Sequence, residues 1–166
     1  MSVRARTPMG WLAAMRRYLA VLTFGNLLWE LAQLPLYTLW HDAPPRIIVR
    51  AVLHCTAGDL VIGITALVAA ITLFGSEAWP TERHAAVLIA VVLISVTYAM
   101  ISEYLNTVVR GSWAYTPAMP TLPLIGTGLA PLAQWIVVPT LALTLARTRA
   151  RDPGPQTAIP RSFQGG

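Results

Sequence analysis

Apolar residues run through the chain in four long blocks, and the polar residues inside those blocks are few and regularly placed. The first block, Tyr18 to Trp40, exceeds the roughly 20 residues a helix needs to cross a hydrocarbon core. Within it Asn26, Glu30 and Gln33 fall at i, i+4 and i+7, which puts them on one helical face. Pro44 and Pro45 in HDAPPR cannot continue that helix. The second block, 51–74, carries His54, Cys55, Thr56 and Asp59 near its start and only apolar or small residues beyond Thr65; Ala66 and Ala70 permit close helix packing. The third, 85–109, closes on SEYLNTVVR, with Glu103, Asn106 and Arg110 at helical spacing. A fourth span must return the chain. Leu129 to Leu145 is near the shortest length that crosses, so the predicted span is 122–145, with Pro131 suiting a helix start and Pro139 implying a kink. Gly126 and Ala130 add a small-xxx-small pair.

These blocks predict an all-α fold, a four-helix transmembrane bundle spanning 18–146, preceded by a basic lead-in over 1–17 and followed by a disordered tail over 147–166 rich in Arg, Pro and Gly. Arg4, Arg6, Arg16 and Arg17 ahead of an apolar stretch imitate a signal peptide. The apolar character continues to Trp40 with no small-x-small cleavage site, so the segment reads as an uncleaved first span.

Charge sets the expected orientation. Charged residues make up 11% of the chain, against roughly a quarter in soluble domains. Every basic residue is arginine. They gather in the tails and connectors rather than in one patch that could follow a phosphate backbone, which excludes nucleic acid as a partner. With both termini cytoplasmic, only Arg46, Arg50 and Arg110 lie outside. The expected location is a bacterial inner membrane, crossed several times. The lone cysteine, Cys55, forms no internal disulfide and reads as a small buried hydrophobe.

Combined with that topology, the polar residues converge. Glu30 lies past the middle of an outward-going helix, His54 and Asp59 begin an inward-going one, and Glu103 and Asn106 finish the next outward-going one. Gln134 joins from the fourth span, all in the outer half of the bilayer. An ionisable group at that depth costs a few kcal/mol, so these side chains are expected to face one another rather than lipid. Carboxyls crowded in a low dielectric hold a proton among them, so one serves as acid while a neighbour serves as base. In that reading Glu103 is the first acid or base, Glu30 and Asp59 tune it, His54 shuttles protons, and Asn26, Gln33, Asn106 and Gln134 orient a substrate.

Plainer readings exist for each residue. Asn26, Gln33, Asn106 and Gln134 each fit an interhelical hydrogen bond, and Glu103 can pair with Arg110 or Arg50. Asp59 lies five residues after His54, roughly 140° around a helix, so the two flank a cavity or serve different ends. A metal site is not expected: adjacent His54 and Cys55 point apart, and no HxxxH or CxxC spacing occurs. The chain has no GxGxxG, P-loop, GxSxG or HExxH, so no cofactor, nucleotide or familiar hydrolase chemistry is expected.

Trp29, Trp40, Trp113, Tyr115 and Trp135 fall near the outer interface, where an aromatic belt accounts for Trp40 and Trp113. Pro117, Pro120 and Pro123 recur every third residue, predicting an extended, stiff segment able to lid the polar cluster. Trp113 and Tyr115 in that segment join the substrate-contacting candidates.

The run SEYLNTVVRGSWAYTPAMPTLPLIGTGLAPLAQW, with LLWELAQLPLY and HCTAGD before it, resembles small polytopic inner-membrane proteins of high-GC proteobacteria over Tyr18 to Leu145. Locally, Glu103, Gly111, Trp113, Tyr115 and Pro120 are similar to membrane-embedded carotenoid cyclases and hydratases, which place carboxylates near a Gly, aromatic and Pro loop. The paired-carboxylate motifs and extra spans of such enzymes are missing, so the resemblance implies no catalytic roles. The sequence thus leads to a membrane acid/base enzyme acting on a lipid-soluble, isoprenoid-like substrate, with the bilayer and a second copy of the chain as expected partners. The alternatives are a component passing protons, ions or small solutes, or an accessory subunit whose polar cluster fixes helix register.

Overall fold

The computed structural model describes residues 8–148. Among these, helices and turns make up the fold, and the extended pairings are two isolated bridges. Helix α1 covers Pro8–Gln33, a short α2 Leu39–Asp42, α3 Pro45–Phe74, α4 His84–Tyr104 with a π-helical turn over Leu105–Val109, and α5 Leu129–Thr148. Four of these segments are long and apolar enough to cross a membrane. Of the tail expected to be disordered from Arg147 on, Arg147 and Thr148 instead close α5; the rest of it, and the start of the lead-in, lie outside the described residues.

The helix limits follow local chemistry. Pro35 has no N–H to donate and clashes with the preceding turn, so α1 stops at Gln33 rather than running to Trp40. Trp40 sits instead in α2. At its other end α1 takes in part of the expected lead-in, because Ala14 and Tyr18 are fully buried in the bundle core. Pro44 and Pro45 open α3, where a missing N–H is tolerated. The fourth helix begins at Leu129, not near Leu122. Residues 122–127 form a tight turn, with the Gly126 N–H donating to the Leu122 carbonyl at 3.0 Å and the Leu122 N–H to the Thr127 carbonyl at 2.8 Å. Leu124 and Gly126 there take φ of 75° and 67°, which no right-handed helix accommodates. The proline-rich segment therefore doubles back, bridging Thr121 to Gly128, instead of running extended.

Each long helix packs on the next, and α1 closes on α5, giving an up-down-up-down ring. Half of this ring is solid. Leu22, Leu67, Val91 and Leu143 fill its axis, and Trp79 from the α3–α4 connector packs into the same cluster. Two glycines let the helices approach: a Cβ on Gly63 would lie 2.6 Å from Leu22 Cδ2, and one on Gly25 2.8 Å from Val138 Cγ1. Tyr18 fixes the α1–α3 contact by donating its hydroxyl to the Gly63 carbonyl at 2.9 Å. Large apolar side chains such as Phe24, Leu28, Leu53, Leu73 and Leu93 point outward from the helices. That exposed apolar girdle fits a lipid surround, since soluble monomers rarely leave so much contiguous apolar surface bare.

Candidate functional site

The other half of the ring is hollow. Where the C-terminal ends of α1 and α4 meet the N-terminal ends of α3 and α5, the helices enclose a cavity of about 500 Å³. Glu30 and Gln33 reach it from α1, Asp59 and Cys55 from α3, Glu103 and Asn106 from α4 and its π turn, and Gln134 and Trp135 from α5. Tyr37 and Trp113 close it from the connectors. Three of the acidic side chains predicted to converge thus do so, each from a different helix.

Two of them are tied by an amide chain. The buried Gln134 side-chain NH2 donates to Asp59 Oδ2 at 2.9 Å, to Asn26 Oδ1 at 3.0 Å and, at the limit, to Glu30 Oε1 at 3.5 Å. Its own oxygen accepts from the Gln33 NH2 at 3.3 Å, which also donates to Glu30 Oε1 at 2.9 Å. Glu30 Oε1 and Asp59 Oδ2 both accept, which sets the way both glutamine amides face. One NH2 carries two protons for three oxygens, so the acceptors around Gln134 outnumber its donors.

Glu103 stands apart from that chain. It is buried, and its Oε2 accepts the Tyr115 hydroxyl and, at 3.4 Å, the Trp113 indole N–H. Aromatic donors, rather than Arg110 or Arg50, therefore satisfy this carboxyl. The Tyr115 hydroxyl in turn accepts the Gly128 N–H at 3.1 Å. A Cβ at Gly128 would lie 3.1 Å from Tyr115 Cζ and 3.0 Å from Met119 Sδ, so glycine leaves room for this close approach. Burial, followed by the hydrogen bond to Glu103, pushes the Tyr115 phenol above its ordinary value, keeping it a donor near neutral pH.

The loop carrying these donors is pinned to the end of α1. Tyr37 and Tyr115 form a bridge, the Thr38 N–H donates to the Ala114 carbonyl at 3.0 Å, and the Thr116 N–H to the Leu36 carbonyl at 2.9 Å. The two tyrosine rings meet edge to face, centroids 5.4 Å apart. Beneath the loop, the π turn after Glu103 shifts the register of α4. The Asn106 NH2 turns back to the Ser102 carbonyl at 2.8 Å, the Thr107 hydroxyl to the Glu103 carbonyl at 2.7 Å, and Gly111 releases the chain at φ 62°.

Not every predicted residue touches the cavity. Gln33, Asn106, Trp113 and Gln134 line it, whereas Asn26 and Tyr115 act from behind the wall through Gln134 and Glu103. His54 and Arg110 line it too, yet both are exposed, which places them at its rim. Tyr37 escaped the sequence reading; its one local signal is its position just past the proline that ends α1 beside Gln33. Among the described residues, no three His, Cys, Asp or Glu side chains converge in an arrangement able to hold a metal ion. No family model, curated protein or solved structure matches the chain.

Proposed function

We propose that this protein is a membrane-embedded enzyme that transfers protons on a lipid-soluble substrate, crossing a bacterial inner membrane four times with both termini cytoplasmic. The observation that carries this reading is the meeting of three carboxyl groups from three helices on one cavity, in two different hydrogen-bonded settings. Acid/base work needs such a difference, because one group must give a proton where another takes it. Glu103, held by Tyr115 and Trp113, is the catalytic acid or base. The Glu30 and Asp59 pair, joined through Gln134, is its counterpart. His54 at the rim connects the cavity to the surface.

Substrate enters from the side. The wall combines these polar groups with Leu34, Val52, Ile62 and Trp135, and exposed Tyr98 on α4 marks its outward edge. Apolar surface of that kind suits a hydrocarbon body with one reactive centre.

A transport role fits less well, because the cavity is a dead end. Below Gln134 the axis is filled by packed, mostly apolar side chains from all four helices, with no carboxyl, imidazole or guanidinium group in that buried cluster. The test is a comparison of lipid extracts, by mass spectrometry, from a deletion strain carrying either the intact chain or Glu103→Gln at equal abundance. A lipid species that accumulates in both the deletion strain and the Gln strain identifies the substrate. Identical profiles sink the enzyme reading.

A further inference from the structure

Of the glycines deep inside the long helices, Gly25 and Gly63 let neighbouring helices approach, and a Cβ on either would strike a side chain. Gly58 differs. It lies near the middle of the 30-residue α3, where glycine costs stability relative to alanine, yet a Cβ there would meet nothing within 4 Å. No close approach within the chain calls for it. Gly58 is exposed while it lines the cavity, so the open space beside it is the mouth of that cavity.

Residues that line the cavity yet are not buried trace the rest of the mouth. On α3 these include Cys55 and Gly58; on α4 they are Tyr98, Ser102 and Asn106, at successive turns. The two helices run antiparallel, which brings Gly58 opposite the Tyr98 to Ser102 stretch. Ile62, packed against the cluster of Ala99, Leu132 and Trp135, closes this slot at its foot. Outside it, Leu53 and Val61 of α3 and Ile101 and Leu105 of α4 are large, apolar and exposed. Hydrocarbon suits such a border, so the slot faces lipid rather than water.

We propose that the cavity opens into the bilayer between α3 and α4, that Gly58 sets the width of the opening, and that the substrate is a long-chain lipid whose reactive end passes this slot to reach Glu103 while its tail stays among the surrounding chains. A side chain at Gly58 projects into the slot without striking the protein, so it narrows the passage and leaves the fold intact. This inference rests on the reading of the cavity as a substrate site and adds where the substrate enters and what limits its bulk.

The test is photolabelling of the full chain in lipid nanodiscs with hexadecanol carrying a diazirine near its hydroxyl, the adducts being mapped by mass spectrometry. In the intact protein adducts are expected on Ala99 and Trp135, which are buried and line the cavity, as well as on outward-facing Leu93. Gly58→Leu is expected to lower the cavity adducts at least about tenfold relative to those on Leu93, about 1.4 kcal/mol, and Ser102→Leu to do the same from the facing helix. Gly58→Ala is expected to melt no lower than the parent and to keep most of the labelling. Butanol carrying the same group is short enough to enter at the exposed rim, and its labelling of the cavity in each variant shows that the hollow is intact. A Leu variant that loses the butanol adducts as well has lost the hollow, and the other Leu variant then decides. Cavity adducts that are absent from the intact protein, as when a second copy seals the slot, or undiminished in the Leu variants, overturn the proposal. The lipid-extract comparison separates this failure from that of the enzyme reading. A lipid accumulating with Glu103→Gln while hexadecanol labels only the outer surface keeps the enzyme and overturns the slot; labelling of the cavity through the slot with unchanged lipid profiles does the reverse.

Discussion

Replacing Gln134 with Leu removes the group that joins α1, α3 and α5 across the floor of the cavity while roughly conserving volume. Lost with the amide are its donations to Asn26, Asp59 and Glu30 and its acceptance from Gln33. Interhelical hydrogen bonds in membrane proteins average about 0.6 kcal/mol each, which sets a floor near 2 kcal/mol for the four. A bond to a carboxylate contributes more when that group is ionised, roughly 1.5–3 kcal/mol, and Asp59 at 2.9 Å is the nearest of these acceptors, so the expected loss is about 2–5 kcal/mol. For a chain of this size that corresponds to a Tm lower by about 5–15 °C. Near-UV circular dichroism during heating in mild detergent reads it. Glu30→Gln is the matched control: it keeps an oxygen in the Oε1 position to accept from Gln33 and Gln134 while removing an acidic group from a crowded site, so its Tm is expected to hold or rise. A double-mutant cycle of Gln134→Leu with Asp59→Asn is expected to give a coupling of about 0.5–3 kcal/mol. A Gln134→Leu protein with unchanged Tm, or strict additivity in the cycle, would refute the reasoning.

Tyr115→Phe removes both the donor to Glu103 and the acceptor for the Gly128 N–H, so amide hydrogen exchange across 111–128 is expected to quicken about tenfold or more, for a loss of about 1–3 kcal/mol. The phenol of Tyr115 lies above its unfolded value, so its contribution to stability is complete below about pH 10 and fades as pH rises from there toward the folded value. Alkaline melts are expected to show that decline in the parent protein and a shallower one in Tyr115→Phe. Gly63→Val forces a side chain against Leu22, and overpacking of about 1–3 kcal/mol is expected as a lower Tm with the cavity residues unaltered.

The spans were legible because block length and the depth of each polar residue are properties of the chain alone. Glu30, Asp59, Glu103 and Gln134 could be expected at one level of the bundle from topology, and they line one cavity. Which residues front the cavity was not legible, because that depends on helix rotation. Asn26 and Gln33 share a face of α1, yet Gln33 lines the cavity while Asn26 sits behind Gln134. His54 and Asp59 flank the hollow from one helix, one exposed and one buried. The loop was the least legible part. Its three prolines favour extension locally, but the left-handed backbone at Leu124 and the pairing of Tyr37 with Tyr115 come from contacts distant in sequence. Those contacts decide that Glu103 answers to aromatic hydroxyl and indole groups rather than to an arginine.

The central claim is proton transfer to or from a lipid-soluble substrate, and solvent deuterium tests it most directly. Membranes carrying the intact chain or Glu103→Gln are incubated in D2O with lipid extracted from the deletion strain, then analysed by mass spectrometry. Glu103→Gln keeps the side chain's size and an oxygen to accept from Tyr115, so its melting curve first establishes that it folds. The account predicts one lipid species that gains deuterium at carbon with the intact protein and not with the Gln variant. Deuterium uptake that is absent in both, or equal in both, would contradict it.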